Sequence, residues 1–238
     1  MEQPIDSTMM KHYLLSIRLN SEGYTISVFD ESSVLLSSKK VTKSLFALSS
    51  DEIIKTMTPE AELNYHTVRL ICESETYTFI PAPIFKAEEA ADLLHFQFKP
   101  VKTDQIILNH IPKWDTVNVF SIPKTVHNAM TQLFPKAIIE HHLSYFLSEC
   151  VKLQTESSVY IEVRGNIMDV VVILKGALQL INSYSFNTPE DFTYYTLNIF
   201  DKLPLDTENC KVILFDGEKT PELKKTLELY LEVINEER

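Results

Sequence analysis

Two arginines stand beside short polar turns and could hold an anion. Arg18 lies just before Asn20 and Ser21, and Arg164 lies just before Asn166. A guanidinium group binds phosphate or carboxylate through paired N–H donors, and amide or hydroxyl side chains add further hydrogen bonds. One interpretation is therefore an anion site built from these residues. The other is structural, because strand-end arginines are commonly solvated, and Asn and Ser favour turns for local backbone reasons.

Other reactive residue types do not form a recognisable site. His141 and His142 follow Glu140, but adjacent side chains point to opposite faces of a strand or diverge by about 100° on a helix, so both cannot easily reach one ion. No serine or cysteine stands in a recognisable nucleophile turn. Paired acids fall in predicted helices, where solvation or the helix dipole explains them. We therefore expect no catalytic residue, no metal site and no cofactor.

Composition limits the class of partner. The chain has 238 residues, is 45% hydrophobic, carries a formal charge of -11 and has a pI near 5.1. Nucleic-acid binding needs clustered lysine and arginine, so we expect none. No apolar run approaches the roughly 18 residues that span a bilayer, and the polar residues 1–11 lack a signal-like apolar core. We expect a cytoplasmic protein without direct membrane insertion, whose three cysteines are buried free thiols.

A strand–turn–strand–turn–strand pattern occurs twice. The first copy covers residues 12–38, with polar turns at 20–23 and 30–33, and the second covers residues 158–186, with turns at 164–166 and 175–176. Alternating apolar residues and matching turn chemistry predict a three-stranded antiparallel meander in each copy. The polar stretch 154–158 is the best boundary. We therefore predict domains at residues 1–153 and 154–238.

Helices and further strands are predicted after each meander. Ser49 and Thr188 are the clearest N-caps, the second followed by Pro189 and two acids. The terminal helix has an apolar stripe that includes Leu231 and Ile234. Helices are predicted at 50–57, 84–98, 123–134, 189–200 and 220–234, and strands at 67–72, 77–80, 105–109, 116–120 and 212–215.

In its strand order and turns, nearly the whole chain resembles the actin-like ATPase superfamily, which has a ribonuclease H-like fold. More narrowly, it is similar to shortened bacterial members related to the cytoplasmic assembly proteins of type IV pili and type II secretion, and to an uncharacterised bacterial family of unknown function. The resemblance implies an α/β protein with two tandem subdomains. Each would be a mixed sheet that begins with a three-stranded antiparallel meander and is flanked by helices.

The residues that carry the resemblance also depart from it. In the superfamily each meander begins with a strand ending in Asp-x-Gly, whose carboxylate serves the metal and whose glycine admits phosphate. The first match places Arg18 at the carboxylate and Asn20 at the glycine, and a guanidinium cannot coordinate magnesium. The second match keeps an acid, Glu162, but replaces the glycine with Arg164. Of the paired glycines in the third motif, Gly217 alone is present, and the chain has four glycines in all.

Three functional hypotheses follow. The first is a non-catalytic binding or scaffold protein that uses a degenerate actin-like fold to hold a protein partner, as the similar secretion and pilus components do. Arg18, Asn20, Ser21, Arg164 and Asn166 would then form a residual anion site in the cleft between the halves. The second is a nucleotide-binding switch with weak or no hydrolysis. The third is an enzyme of unrelated chemistry housed in the interdomain cleft.

Overall fold

The computed structural model describes residues 11–153, 156–203, 205–215 and 220–236. The chain divides into two compact units, Met1–Ser144 and Tyr145–Arg238, and each contains mixed sheets with helices. None of the described helices combines the length and the apolar composition that a membrane span requires. The α/β class expected from the sequence is confirmed.

The first unit contains a five-stranded main sheet and a three-stranded small sheet. Its elements in chain order are β1 (Leu14–Leu19), β2 (Tyr24–Phe29), β3 (Leu35–Val41), α1 (Ser50–Ala61), β4 (Thr67–Cys72), β5 (Tyr77–Pro81), α2 (Ala90–Gln97), β6 (Asp104–Ile111), β7 (Thr116–Pro123), α3 (Lys124–Leu133), β8 (Ile138–His141) and α4 (His142–Lys152), which continues past the unit boundary.

The main sheet has the order β3-β2-β1-β4-β8. The first three strands form the predicted antiparallel meander, and β4 and β8 add in parallel. Alternate residues of β1, namely Leu15, Ile17 and Leu19, are buried on one face. Apolar residues of α1 and α3 pack against that face, among them Ile53 and Met130. Its alternating pattern thus gives β1 one core face and one face that carries polar side chains.

The small sheet has the antiparallel order β5-β7-β6 and packs against α2 over a separate core. Its strand β6 also contacts the edge of β8 through one side chain. The Asn109 amide donates to the Ile139 carbonyl at 2.9 Å and accepts from the His141 N–H at 2.8 Å. The amide thereby supplies the donor and acceptor that a neighbouring strand would supply.

The second unit repeats the order of the main sheet. Its strands β9 (Ser158–Arg164), β10 (Ile167–Leu174), β11 (Ala177–Ser185), β12 (Lys211–Phe215) and β13 (Val233–Glu236) form the sheet β11-β10-β9-β12-β13, with helices α5 (Pro189–Lys202) and α6 (Thr220–Leu227). The meander is antiparallel, and β12 and β13 add in parallel. The predicted duplication of the meander is therefore confirmed, and it extends to the two parallel strands that complete each five-stranded sheet.

The two predicted N-caps are confirmed. The Ser49 hydroxyl accepts from the Glu52 N–H, and the Thr188 hydroxyl accepts from the Asp191 N–H. In each case the carboxylate of the acid accepts from the backbone N–H of the cap residue. Both are capping boxes, which satisfy two backbone donors of the first turn. The α1 helix continues beyond the predicted end, to Ala61.

Two predicted helices were too long. Residues 84–98 form short turns followed by α2, because the backbone is extended at Phe85 and Lys86, and the Phe85 ring packs against the small core. The predicted terminal helix ends at Leu227. Leu231 is still buried, but Val233 and Ile234 belong to β13, which pairs with β12. β-branched residues favour that pairing over a further helical turn.

Sequence reasoning missed β8 and α4. Strand β8 has four residues, too few for a clear alternating pattern. The division between the compact units falls within α4, at Ser144/Tyr145, and the predicted domains 1–153 and 154–238 stay a prediction.

Candidate functional site

The turn after β1 is closed by its own residues. The Asn20 side-chain oxygen accepts from the backbone N–H groups of Glu22 at 3.0 Å and Gly23 at 2.8 Å, and the Ser44 hydroxyl donates to the Asn20 carbonyl at 3.2 Å. Ser21 is exposed in the same turn. Asparagine is preferred here because its side chain bonds to nearby backbone. The backbone N–H groups of Glu22 and Gly23 thus point at the Asn20 side chain.

Gly23 is required by a close approach of backbone. A Cβ atom at this position would lie 2.0 Å from the Val41 carbonyl oxygen and 3.2 Å from the Thr42 Cα. Both contacts come from the end of β3 and the residue after it. The glycine of the first turn therefore serves strand packing.

Arg18 pairs with a carboxylate from the neighbouring parallel strand. Its Nε donates to Glu73 Oε1 at 2.5 Å, and the two side chains are 24% and 12% exposed. Glu73 directly follows β4, and its N–H donates to the Leu19 carbonyl at 2.8 Å. Since parallel strands end at the same edge of a sheet, β1 and β4 bring these two side chains together. The pair is a partly buried, charge-assisted hydrogen bond.

A second ion pair lies on the same face of the main sheet. Arg69 of β4 and Glu140 of β8 are 2.9 Å apart, Nε to Oε2. The strand registers place Arg69 opposite Ser16, and Ile71 opposite both Arg18 and Glu140. Residues two apart on a strand share a face, so both pairs project from one side of the sheet. This face carries alternating positive and negative charge.

In the second unit Arg164 binds a fully buried carboxylate. The Arg164 Nε contacts Asp169 Oδ2, and Nη2 donates to Oδ1 at 3.0 Å. The Ser183 hydroxyl donates to the same Oδ1 at 2.5 Å. Asp169 has no solvent exposure. Because a buried carboxylate is costly without compensating partners, the bidentate guanidinium is a structural requirement of this strand.

The acid of the second motif, Glu162, lies directly opposite Asp169. The two residues are cross-strand neighbours of β9 and β10, and Glu162 is 7% exposed. Their carboxylates share one face of the sheet. The adjoining turn holds Gly165 at φ +60°, and the Asn166 carbonyl accepts from the Phe186 N–H at 2.9 Å. Glu162, Arg164, Asp169 and Ser183 therefore lie together on this face of the sheet.

The predicted site residues fall into two local groups. Arg18, Asn20 and Ser21 belong to the first unit, and Arg164 and Asn166 belong to the second. Each arginine already has a carboxylate partner, so an external anion would compete with Glu73 or Asp169. A shared anion site stays a prediction. The third motif, at residues 216–218, lies outside the described residues.

Sequence reasoning missed the carboxylates that bind these arginines. Glu73 could have been found from its place at the end of a buried strand next to β1. Asp169 had a stronger signal, since it is the one charged residue in the apolar run of β10. A lone acid in such a run needs a partner.

The adjacent histidines form part of a buried aromatic cluster. His141 Nε2 lies 2.9 Å from the Ser74 carbonyl, and its Nδ1 accepts from the Leu143 N–H at 3.3 Å. Its ring contacts those of Tyr77 and His142, with centroids 4.6 and 4.2 Å away. Both ring nitrogens thus face backbone groups. Across the described ranges, no group of three or more potential metal-binding side chains occurs.

The thiols are buried and should be unreactive in the folded chain. Burial, with a smaller effect of the Glu73 charge, raises the pKa of Cys72 from 9.0 to about 12, and burial also raises the pKa of Cys210. Thiol-exchange reagent at about pH 8 is expected to leave the native protein unmodified, since the thiolate reacts. In urea, all three cysteines should react within minutes.

A raised thiol pKa has the corresponding effect on stability. Burial of the protonated Cys72 thiol adds to the stability of the folded chain. This stabilisation is complete below the ordinary thiol pKa near 9.0 and is lost as the pH rises towards the folded-state pKa of about 12. Rapid, stoichiometric modification of Cys72 in the native chain would contradict the buried arrangement.

Comparison with known proteins places these features in a family. A family model described as "Protein of unknown function (DUF3822)" matches residues 2–234. A Bacteroides thetaiotaomicron protein with actin-like ATPase fold and unknown function is 25% identical, with a TM-score of 0.80 over 98% of this chain and 94% of that chain. A chain of the PilM–PilN type IV pilus biogenesis complex is 12% identical, with a TM-score of 0.52 over 93% of this chain and 88% of that chain. No curated protein matches significantly. The chain has an actin-like ATPase fold.

Proposed function

Because this chain belongs to the DUF3822 family and has an actin-like ATPase fold, we propose that it is a non-catalytic scaffold that binds a protein partner. In this proposal the positions that would hold phosphate and metal have been converted into internal structure. The protein would thus be a pseudo-ATPase, that is, a protein with the ATPase fold and a degenerate nucleotide site.

The observation that carries the proposal is the Arg18–Glu73 ion pair. Arg18 occupies the place that the resemblance gives to a metal-binding carboxylate, and its Nε lies 2.5 Å from Glu73 Oε1. A guanidinium has donors and no acceptor, so it repels a divalent cation and cannot ligate it. Glu73 at the same edge could attract a cation, but the pairing with Arg18 neutralises its charge.

The turn beyond Arg18 gives further support. A phosphate site of this kind needs backbone N–H groups aimed at the ligand. Here the N–H groups of Glu22 and Gly23 bond to the Asn20 side chain, and Gly23 provides space for the Val41 carbonyl. Nucleotide binding would require this turn to open.

Binding of a protein partner is supported by fold and by charge. The PilM chain, which shares the fold, was solved in a complex with PilN. The net charge of -11 disfavours phosphate-rich partners. A folded scaffold of this type would bind another protein without chemistry at the two turns.

One observation favours a second function, the nucleotide-binding switch. Glu162 keeps an acid at the place of the second motif and is 7% exposed. A magnesium nucleotide could use this carboxylate if Arg164 stayed with Asp169. The two functions differ in a measurable property, namely affinity for nucleotide.

Calorimetric titration with magnesium ATP and ADP separates the two proposals. For a scaffold we expect no saturable heat at millimolar nucleotide. Binding that is tighter than about 0.1 mM, or about 5 kcal/mol of binding free energy, would exclude a degenerate site. Glu162→Gln is the diagnostic variant, because it would abolish nucleotide binding by the switch and would leave the scaffold unaffected.

A pull-down from the native cell tests the partner directly. The tagged chain should retain a protein stoichiometrically under mild conditions. Repeated failure to recover one would count against the scaffold, whatever the nucleotide result.

A further inference from the structure

The outer edge of β3 is an exposed strand edge with an unusual charge. Strand β3 ends the main sheet, has seven residues and, within the described residues, pairs with β2 alone. The backbone groups on the far side of such a strand can pair with another extended segment. Edges of this kind are normally shortened, covered or charged.

Lys39 and Lys40 are the fifth and sixth of the seven residues of this strand. They stand opposite Ile26 and Thr25 of β2, and both are exposed. Because they are consecutive, one points to each face of the sheet. Their cross-strand neighbours are uncharged, and in residues 11–153 no carboxylate forms an ion pair with either lysine. Two uncompensated positive charges therefore flank the edge.

The start of the same strand is apolar. Leu35, its first residue, is 51% exposed, and Val34, directly before the strand, is 56% exposed, although both are aliphatic. Leu35 lies four residues before Lys39. The edge thus offers an apolar residue at its start and two positive residues towards its other end, which is a pattern that a partner strand can match.

Another edge of the main sheet is protected differently. Strand β8 has four residues, and the Asn109 amide occupies the donor and acceptor on its outer side. Strand β3 is longer and carries no such cover in the described structure. Lysine also prevents two copies of this edge from pairing, because like charges would face each other. The same lysines favour a strand of opposite charge.

We propose that the β3 edge binds an extended acidic segment of the partner protein by strand addition. Two consecutive acidic residues of that segment would lie beside Lys39 and Lys40, one on each face, with an apolar residue about four positions away beside Leu35. This proposal deepens the proposed scaffold function and depends on it. The overall charge of -11 does not prevent such docking, since repulsion from distant acids is screened beyond about 8 Å at physiological ionic strength.

The test uses a labelled peptide and a pair of charge-reversal variants. The probe is a fluorescein-labelled peptide of about eight residues that alternates Val and Thr around a central Glu-Glu pair. Its anisotropy is followed during titration with the full chain, with Lys39→Glu/Lys40→Glu and with a matched control. The control, Lys55→Glu/Lys136→Glu, alters net charge equally at exposed positions away from the edge.

We expect saturable binding to the wild-type chain and to the control, and at least about a tenfold loss of affinity in the edge variant. A probe with Lys-Lys in place of Glu-Glu should bind the edge variant and should show no binding to the wild-type chain. Absence of saturable binding, or equal binding to the edge variant and control, would overturn the inference. Thermal melts monitored by circular dichroism confirm that each variant is folded.

The pull-down separates this inference from the scaffold function. A partner recovered by both the wild-type chain and the edge variant would disprove docking at β3 and leave the scaffold intact. A partner lost only in the edge variant would support both.

Discussion

Replacement of Arg164 by Met is expected to destabilise the protein by about 3–5 kcal/mol. Asp169 is fully buried, and it receives a bidentate guanidinium and the Ser183 hydroxyl. Removal of the guanidinium leaves a negative charge in a poorly solvated position, whereas methionine preserves most of the aliphatic volume. Urea unfolding followed by far-ultraviolet circular dichroism measures the change in free energy.

A double variant identifies the cause of this loss. Arg164→Met combined with Asp169→Asn removes both charges, so it should recover much of the stability lost by Arg164→Met alone. Lys202→Met is the control, because that side chain is 71% exposed, and it should change stability by no more than about 0.5 kcal/mol. A loss below about 1 kcal/mol in Arg164→Met would show that the pair is not needed to hold Asp169 in the sheet.

Replacement of His141 by Ala is expected to cost about 3–5 kcal/mol. The ring is fully buried, contacts Tyr77, Phe120 and His142, and bonds to two backbone groups. Alanine would leave a cavity and would remove the side chain that accepts from Leu143 at the start of α4. Trp114 is the only tryptophan and belongs to the first unit, so its fluorescence follows that unit during urea unfolding.

A second substitution separates packing from hydrogen bonding at this position. His141→Phe keeps an aromatic ring but loses both backbone bonds, and we expect a smaller cost of about 1–3 kcal/mol. His95→Ala, at an exposed position of α2, should be nearly neutral. If His141→Ala were as stable as His95→Ala, the buried cluster would not support the first unit as described.

The sequence predicted most of the regular structure where the signal is local. Ser49 and Thr188 start helices because a cap residue and the acid after it interact within one turn. The two meanders were visible because alternation and turn residues lie within about thirty residues of chain. Ile234 was misassigned for the converse reason. Its helical spacing after Leu227 and Leu231 is real, but pairing with β12 made it part of a strand.

The sequence identified candidate site residues but did not identify the residues that they contact. Arg18, Asn20 and Arg164 were singled out because the resemblance aligns them with positions that the superfamily uses for metal and phosphate, and their role stays a prediction. The carboxylates that bind these arginines were not identified. Glu73 lies 55 residues from Arg18 along the chain, so no local pattern links the two.

The amino-acid sequence by itself determined the duplicated meanders and the helix starts, because each depends on side chains close together along the chain. The tertiary structure alone decided that Arg18 pairs with Glu73, that Asn109 covers the edge of β8, and that β3 presents its lysines at an open edge. Parallel strand pairing brings distant segments to a common edge, and the register of that pairing sets which side chains meet.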